Sequence, residues 1–549
     1  MSDGSLDALR PLPDFNPTCP ELLKWMVGSY GDNLALVSGA RRLTYNQLEQ
    51  SSAEVAMQLL ASGVGKGTRV GLMMPNSIEW VVNWFALTRI GALAVSVSTF
   101  SQPRELSWLL RHADIHTLIM VDRYLKHDYC DRLEAVIPGL ERDTTPPLFF
   151  RSHPYLRQVV VHGDNVPAWA RSPGELATGQ AQRPALDRGY LREVEKEVSP
   201  ADLMVVVYTS GSTSRPKAVV HTHGNFIRHT YVQRYFHDRK PGDRIIGSHP
   251  FFWIGGLVGT LMSVLVNGAA HHIPRKPDTA SMLRQIREER INVVTAWPFE
   301  LLAMKQHPEF TAHNYDFVTS GFTPPLDSAG NPVDERLRPN SIGMTETVAV
   351  HSWEPIAEAL PESRVGASGR ARSGLERKIV HPETGETLPN GEIGEICIRG
   401  YSLMHGFYKK ERGECFDPDG FYRTGDQGYV LDDGYLYFTG RKDDVVKASG
   451  VNVSTVEVEE QLLKCSEILH AHVVGLDDAK AGKTLVAAIV LKRGETLDAQ
   501  TVRARLLGEL SSYKVPKRFE FLAEEDIPRS ASQKVMKPKL AEMLARPMR

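Results

Sequence analysis

An α/β fold in two unequal domains is what this chain of 549 residues predicts. Three observations carry that expectation. Between residues 41 and 123, short apolar runs alternate with helical patterns, which implies a parallel sheet covered on both faces. Residues 390–440 read as strands joined by turns, a β-rich subdomain. Beyond residue 450 strand and helix patterns alternate again, over enough chain for a small α+β domain. The predicted class is therefore α/β: a large N-terminal domain of parallel or mixed sheets covered by helices, carrying the β-rich subdomain, and a small α+β C-terminal domain. A chain this long exceeds what one core supports.

The elements follow in order. Leu43-Thr44-Tyr45 leads into a helix over 46–62 that Gly63 and Gly65 stop. A buried strand over 70–74 ends at Pro75-Asn76, a helix over 78–90 stops at Gly91, and 92–97 is the next strand. Residues 124–200 are rich in proline and charge without a clear period, and are expected to form a surface excursion. The apolar run 203–207 reads as a buried strand, with a helix starting at Asn225 after Ala218-Val219-Val220. Phe251 to Ala270 carries no charge and is long enough to span a bilayer. Its glycines and Asn267 favour a buried helix and turn in an α/β core. Asp433-Gly434 marks a hairpin turn between Tyr429-Val430-Leu431 and the run Tyr435 to Phe438. Strands over 472–475 and 484–491 and a helix over 498–510 complete the chain.

Composition narrows the function. Lys and Arg total 64 against 66 Asp and Glu, so no bulk charge points to nucleic acid or to a membrane surface. Five scattered cysteines without a C-x-x-C pair fit a reduced compartment and no structural zinc. The first twenty residues lack an apolar core, so no signal peptide is expected. The reading is a cytoplasmic protein with a small-molecule partner, no nucleic acid and no transmembrane segment. His221-Thr222-His223 and His271-His272 have no third ligand at a telling distance, and are read as structural or solvent-facing rather than metal-binding.

The chemistry is densest at Tyr208-Thr209-Ser210-Gly211-Ser212-Thr213-Ser214-Arg215-Pro216-Lys217. A strand running into a loop of small hydroxyl residues is suited to an anion, because backbone N–H groups and the hydroxyls of Thr209, Ser210, Ser212 and Thr213 donate to it. Lys217 adds a mobile positive charge. The loop is not a Walker A loop, since G-x-x-x-x-G-K-[ST] is absent. It resembles instead the phosphate loop of the adenylate-forming superfamily: acyl-CoA and aryl-CoA synthetases, firefly-type luciferases and peptide-synthetase adenylation domains. Ser214 and Ala218 stand where glycine is usual there.

Further motifs resemble that superfamily in its order, from about residue 40 to 540. Pro75-Asn76-Ser77-x-Glu79 matches its opening. His249-Pro250-Phe251-Phe252-Trp253-Ile254-Gly255-Gly256-Leu257 matches the wall of its acyl pocket, with Trp253 where many members have histidine. No aspartate follows to hold an α-amine, which favours a carboxylic acid without one. Gly321 and Phe322 would complete the acyl site. Gly343-Met344-Thr345-Glu346-Thr347 matches the family's catalytic pair: Thr345 would bond the α-phosphate and Glu346 would hold Mg²⁺. Tyr422-Arg423-Thr424-Gly425-Asp426 matches Y-x-T-G-D, an acid in a tight turn accepting both ribose hydroxyls. Gly440-Arg441-Lys442-Asp443 resembles the domain junction, with Arg441 on ribose or phosphate and Asp443 as hinge. Ser449 and Gly450 would meet coenzyme A. Pro528-Arg529-Ser530-Ala531-Ser532-Gln533-Lys534 resembles the P-[RK]-T-x-x-G-K ending and gives Lys534 as the catalytic lysine.

The resemblance implies residues 1–442 as an adenylation domain and 443–549 as a mobile domain. It implies an acyl-CoA or aryl-CoA synthetase using ATP, Mg²⁺ and coenzyme A. A luciferase-like oxygenase, a fatty acyl-AMP ligase serving a carrier protein and a non-catalytic nucleotide-binding module are the alternatives.

Overall fold

A computed structural model describes residues 13–142, 146–176, 186–209, 216–274, 276–322, 332–356, 358–372, 374–441, 445–448, 450–478, 482–529 and 535–545. The chain divides into two compact units. One comprises Met1–Thr99, Leu110–Val207 and Ala218–Gly440; the other comprises Phe100–Leu109, Tyr208–Lys217 and Arg441–Arg549.

The first unit is built on two largely parallel sheets. A seven-stranded sheet runs in the order Gly406–Phe407, Lys217–Thr222, Leu203–Thr209, Leu93–Ser96, Arg69–Met73, Thr117–Val121, Gln158–His162. Its last five strands are parallel. A five-stranded sheet runs Val293–Thr295, Arg244–Gly247, Ala270–His272, Leu34–Ser38, Arg41–Thr44 and is parallel except for its last pair. The helix Tyr45–Ala61 begins on a capping box between Thr44 and Gln47, and Ile78–Arg89 begins on Ser77, whose hydroxyl accepts from the Trp80 amide. Ile78–Arg89 is buried at every position but Glu79, and its Trp80, Trp84 and Phe85 are fully enclosed in the main core. The α/β class with its β-rich subdomain is borne out.

Two local expectations need correction. Residues 124–200 are not only a surface excursion: Gln158–His162 forms an edge strand of the seven-stranded sheet with Val159, Val160 and Val161 buried. The helix expected at Asn225 begins earlier, at His223, because Thr222 rather than Asn225 is its cap and accepts from the Asn225 amide. His221 and His223 are buried, which fits the structural one of the two roles expected for them. Residues 251–270 do form the expected buried helix and turn. A turn at 251–253 leads into a π-helical stretch, Gly255–Met262, continued by Ser263–Leu265. No helix among the described residues is long and apolar enough to cross a membrane.

The β-rich part holds an antiparallel sheet of Leu375–Val380, Gly394–Gly400, Tyr422–Val430 and Leu436–Arg441. Gly434, at φ +84°, closes the turn before its last strand, with its amide on the Leu431 carbonyl.

In the second unit Gly482–Leu491 is the central strand, antiparallel to Ile468–Asp478 and parallel to Arg518–Phe521. The helices Thr455–Leu462, Ala499–Glu509 and Lys537–Ala545 cover this sheet, enclosing two apolar clusters. Within this unit the buried Lys514 ammonium lies 2.6 Å from Glu105 and 2.9 Å from Glu457.

Candidate active site

Thr345 and Glu346 lie in one helical turn, Thr345–Thr347, between the paired strands Ile342–Gly343 and Val350–Trp353. Gly343 must be glycine for that pairing, because a Cβ would fall 2.5 Å from the Ala349 carbonyl oxygen. The turn is tied down from outside. His221 Nε2 donates to the Thr345 carbonyl at 2.8 Å, and its Nδ1 accepts from the Asn225 amide at 3.0 Å. That same amide reaches the Leu403 carbonyl, and the next residue's N–H, Met404, donates to the Glu346 carbonyl at 2.8 Å. Burial holds the His221 imidazole neutral, its pKa lowered to about 4, so it acts as a fixed donor of one tautomer.

The Glu346 side chain is buried, and its Oε1 accepts from the Tyr422 hydroxyl at 3.2 Å. Its other oxygen makes no hydrogen bond among the described residues. A carboxylate with an uncommitted oxygen fits Mg²⁺, which takes one or two carboxylates and completes its shell with phosphate and water. No group of three or more His, Cys, Asp or Glu placed for a metal occurs among the described residues.

Asp426 is buried, but in a strand rather than the tight turn expected. The pairing register slips between Glu395 and Cys397, so Thr424-Gly425-Asp426 bulges from Tyr422–Val430. Gly425 takes φ +75°, and the Thr424 hydroxyl both donates to the Ile396 carbonyl and accepts from the Asp426 amide. A bulge of this kind re-aims a side chain out of the ladder. Tyr422 and Asp426 thus sit on one strand, and Tyr422 joins that strand to Glu346.

The remaining predicted positions divide plainly. Thr209 ends one strand and Lys217 begins another. Gly450, at φ +81°, lies in the two-residue connection between Val445–Ala448 and Val451–Ser454. Arg441 ends the strand Leu436–Arg441. Ser210, Gly211, Ser212, Thr213, Asp443, Ser449 and Lys534 lie outside the described residues.

On the acyl side, Trp253 is half-buried, edge-on to Phe252 at 5.3 Å, with its carbonyl accepting from the Leu257 amide. Gly256 is held so close that a Cβ would lie 1.9 Å from the Pro250 carbonyl oxygen. Asn76 clamps this segment, donating to the His249 carbonyl at 2.9 Å and accepting from the Phe251 amide at 2.8 Å. Gly321, at φ +105°, rests against the Val294 backbone. Phe322 packs in the core with Phe310 and Tyr315. His221, Asn225, Tyr422 and Asn76 are positioning residues that the sequence did not single out for these roles.

The chain matches the AMP-binding enzyme family over residues 23–408 and the AMP-binding enzyme C-terminal domain over 457–534. It belongs to that family. It is 30% identical to a putative acyl-CoA synthetase, YngI, of Bacillus subtilis (strain 168), over 96% of each chain. It is 28% identical to the mitochondrial medium-chain acyl-CoA ligase ACSF2 of Mus musculus, over 99% of this chain and 92% of that one. Among solved structures, the amide bond synthetase McbA from Marinactinospora thermotolerans shares the fold, with a TM-score of 0.75, 22% identity and coverage of 95% and 99%. Membership bears out the resemblance read from the motifs, and with it the enzyme class: this AMP-binding enzyme is an AMP-forming acid–thiol ligase.

Proposed function

We propose that the protein joins ATP to a carboxylic acid lacking an α-amine and passes the acyl group to coenzyme A. The match to the AMP-binding family across both of its segments carries this reading, and the relatives are named acyl-CoA synthetase and ligase. In the first half-reaction a carboxylate oxygen attacks the α-phosphorus in line, and the bond to the bridging oxygen of pyrophosphate breaks. The Thr345 hydroxyl donates to an α-phosphate oxygen, and Thr209, Ser210, Gly211, Ser212, Thr213 and Lys217 offset charge on the outer phosphates. Glu346 would hold Mg²⁺, which when bound neutralises part of the triphosphate charge. Asp426 accepts the ribose hydroxyls, and Arg441 supports ribose or phosphate.

Residues 443–549 act as a mobile domain that follows residues 1–442 in the chain, with Asp443 as hinge. Lys534 serves the first half-reaction and the Ser449–Gly450 loop the second. There the thiol sulfur, losing its proton, attacks the acyl carbonyl carbon and AMP leaves with the bridging oxygen. Trp253, Gly321 and Phe322 shape the acyl pocket, and the protein works in the cytoplasm. Purified protein given ATP, Mg²⁺ and a panel of aliphatic, aromatic and polycyclic acids should release pyrophosphate only with an acid, and form thioester only with coenzyme A. Thioester formation on a carrier protein but not on coenzyme A would overturn the acceptor.

A further inference from the structure

Among the described residues, Arg239 has no paired counter-charge. It is 7% exposed, yet no carboxylate among the described residues lies within ion-pair distance of its guanidinium. Instead it donates to two hydroxyls, Ser263 Oγ and, at 3.2 Å, Thr295 Oγ1. Ser263 spends its own proton on the Gly259 carbonyl at 2.6 Å, so it faces Arg239 purely as an acceptor. The acid that acts on Arg239 through space is Asp243, and both its oxygens are engaged elsewhere, by Asn292 Nδ2 and by the Lys240 amide, each at 2.8 Å. Its other polar neighbours, His237, His249 and His271, are all pushed towards the neutral form by burial. Burying an uncompensated guanidinium is costly in a fold that could hold an apolar residue there.

The place of this charge is informative. Ser263 extends the helical stretch that follows Trp253, and Thr295 ends the strand next to Trp297. Thr260, fully buried on the same stretch, meets His249 Nδ1 at 3.1 Å, and the His249 ring lies edge-on to Trp297 at 4.3 Å. Gly247 lets the strand approach this helix, since a Cβ there would meet Thr260 Cγ2 at 2.5 Å. Arg239, His249, Thr260, Ser263 and Thr295 thus form one polar cluster behind the segment assigned to the acyl wall. Within it His249 and Thr295 are half-buried, and Thr260 and Ser263 fully buried.

We propose that Arg239 is a specificity residue that pairs with a second carboxylate at the far end of the acid, so that the preferred substrates are dicarboxylic. This deepens the proposed function and rests on it. A guanidinium held by two neutral acceptors keeps donors for a carboxylate, and such a charge-assisted pair in a water-poor site is strong and directional. The acid's reacting carboxylate goes to the nucleotide; its other end supplies the anion that none of the described residues gives Arg239.

The test is acid-dependent pyrophosphate release with α,ω-dicarboxylic acids and monocarboxylic acids of matched chain length. The wild-type enzyme should favour the dicarboxylic member in kcat/KM, on the order of 10²-fold at the best length. Arg239→Met should collapse that ratio through the dicarboxylate KM, and Arg239→Lys should restore part of it. If wild type favours the monocarboxylic acids, the inference fails while the parent function stands. If neither series releases pyrophosphate while an aromatic or polycyclic acid does, the inference fails and the parent function stands; if no acid of any kind does, both fail. Should Arg239→Met not fold, the wild-type ranking and the Arg239→Lys ratio decide.

Discussion

The nucleotide side and the acyl side of the large unit are secured in different ways. Thr345 and Glu346 are gripped through their backbone carbonyls by His221 and Met404, so the side chains are left for chemistry. On the acyl side, the cluster around Arg239 is linked mainly through side-chain hydroxyls and rings. Backbone anchoring tolerates little variation and suits a reaction common to a whole family. Side-chain anchoring can be rewritten residue by residue, which suits the choice of acid.

Acid should break the first arrangement most severely. His221, His223 and His229 are fully buried with pKa values lowered to about 4 from 6.5, desolvation being the largest cause. Between those values the unfolded chain binds more protons than the fold, so stability falls as pH falls through that window. Each imidazole contributes on the order of 1 kcal/mol per pH unit. Three together are large against a total stability of about 5–15 kcal/mol. The melting temperature should therefore drop steeply from pH 6.5 to pH 5; a flat profile would show that these rings are not buried neutral.

Next in size is Lys534→Ala. Loss of one transition-state contact costs about 3–4 kcal/mol, or roughly 10²–10³ in rate. The variant should lose that much pyrophosphate release yet still convert a supplied acyl-adenylate to thioester. Equal loss in both half-reactions would remove Lys534 from the first step. His221→Leu strands the Thr345 carbonyl and the Asn225 amide, at a cost of about 1–3 kcal/mol. Its effect should appear in the KM for ATP and not in the ranking of acids, which separates the two sides directly.

These two halves were not equally legible in the sequence. Thr345, Glu346, Asp426 and the 209–217 loop stand in short strings whose residue types announce phosphate and ribose chemistry. What holds them does not, because His221 and the carbonyl it binds are separated by 124 residues. The bulge at Gly425 also escaped notice, since T-G-D reads equally well as a turn. Gln158–His162 was hidden inside a proline-rich and charged stretch, although its three valines are an ordinary strand signal. Arg239 was invisible for a different reason: an arginine beside lysine, aspartate and proline reads as solvated surface, and only the packing of Ser263 and Thr295 reveals it as buried.

The smallest expected effect sharpens the nucleotide side further. Tyr422→Phe removes one hydrogen bond to Glu346 and leaves that carboxylate in place, a change of about 1 kcal/mol. Activity should fall by less than roughly tenfold, with the requirement for Mg²⁺ shifted to higher concentration. An unchanged Mg²⁺ dependence would mean that Tyr422 does not orient the metal-binding carboxylate.

The most direct test of the whole account follows one oxygen atom. An accepted acid labelled with ¹⁸O in its carboxylate, turned over with ATP and coenzyme A, should deliver one labelled oxygen to the phosphate of AMP. That transfer requires attack of the carboxylate on the α-phosphorus, followed by departure of AMP from the acyl carbon. Label in inorganic phosphate with ADP as the product, or unlabelled AMP beside labelled thioester, would contradict it.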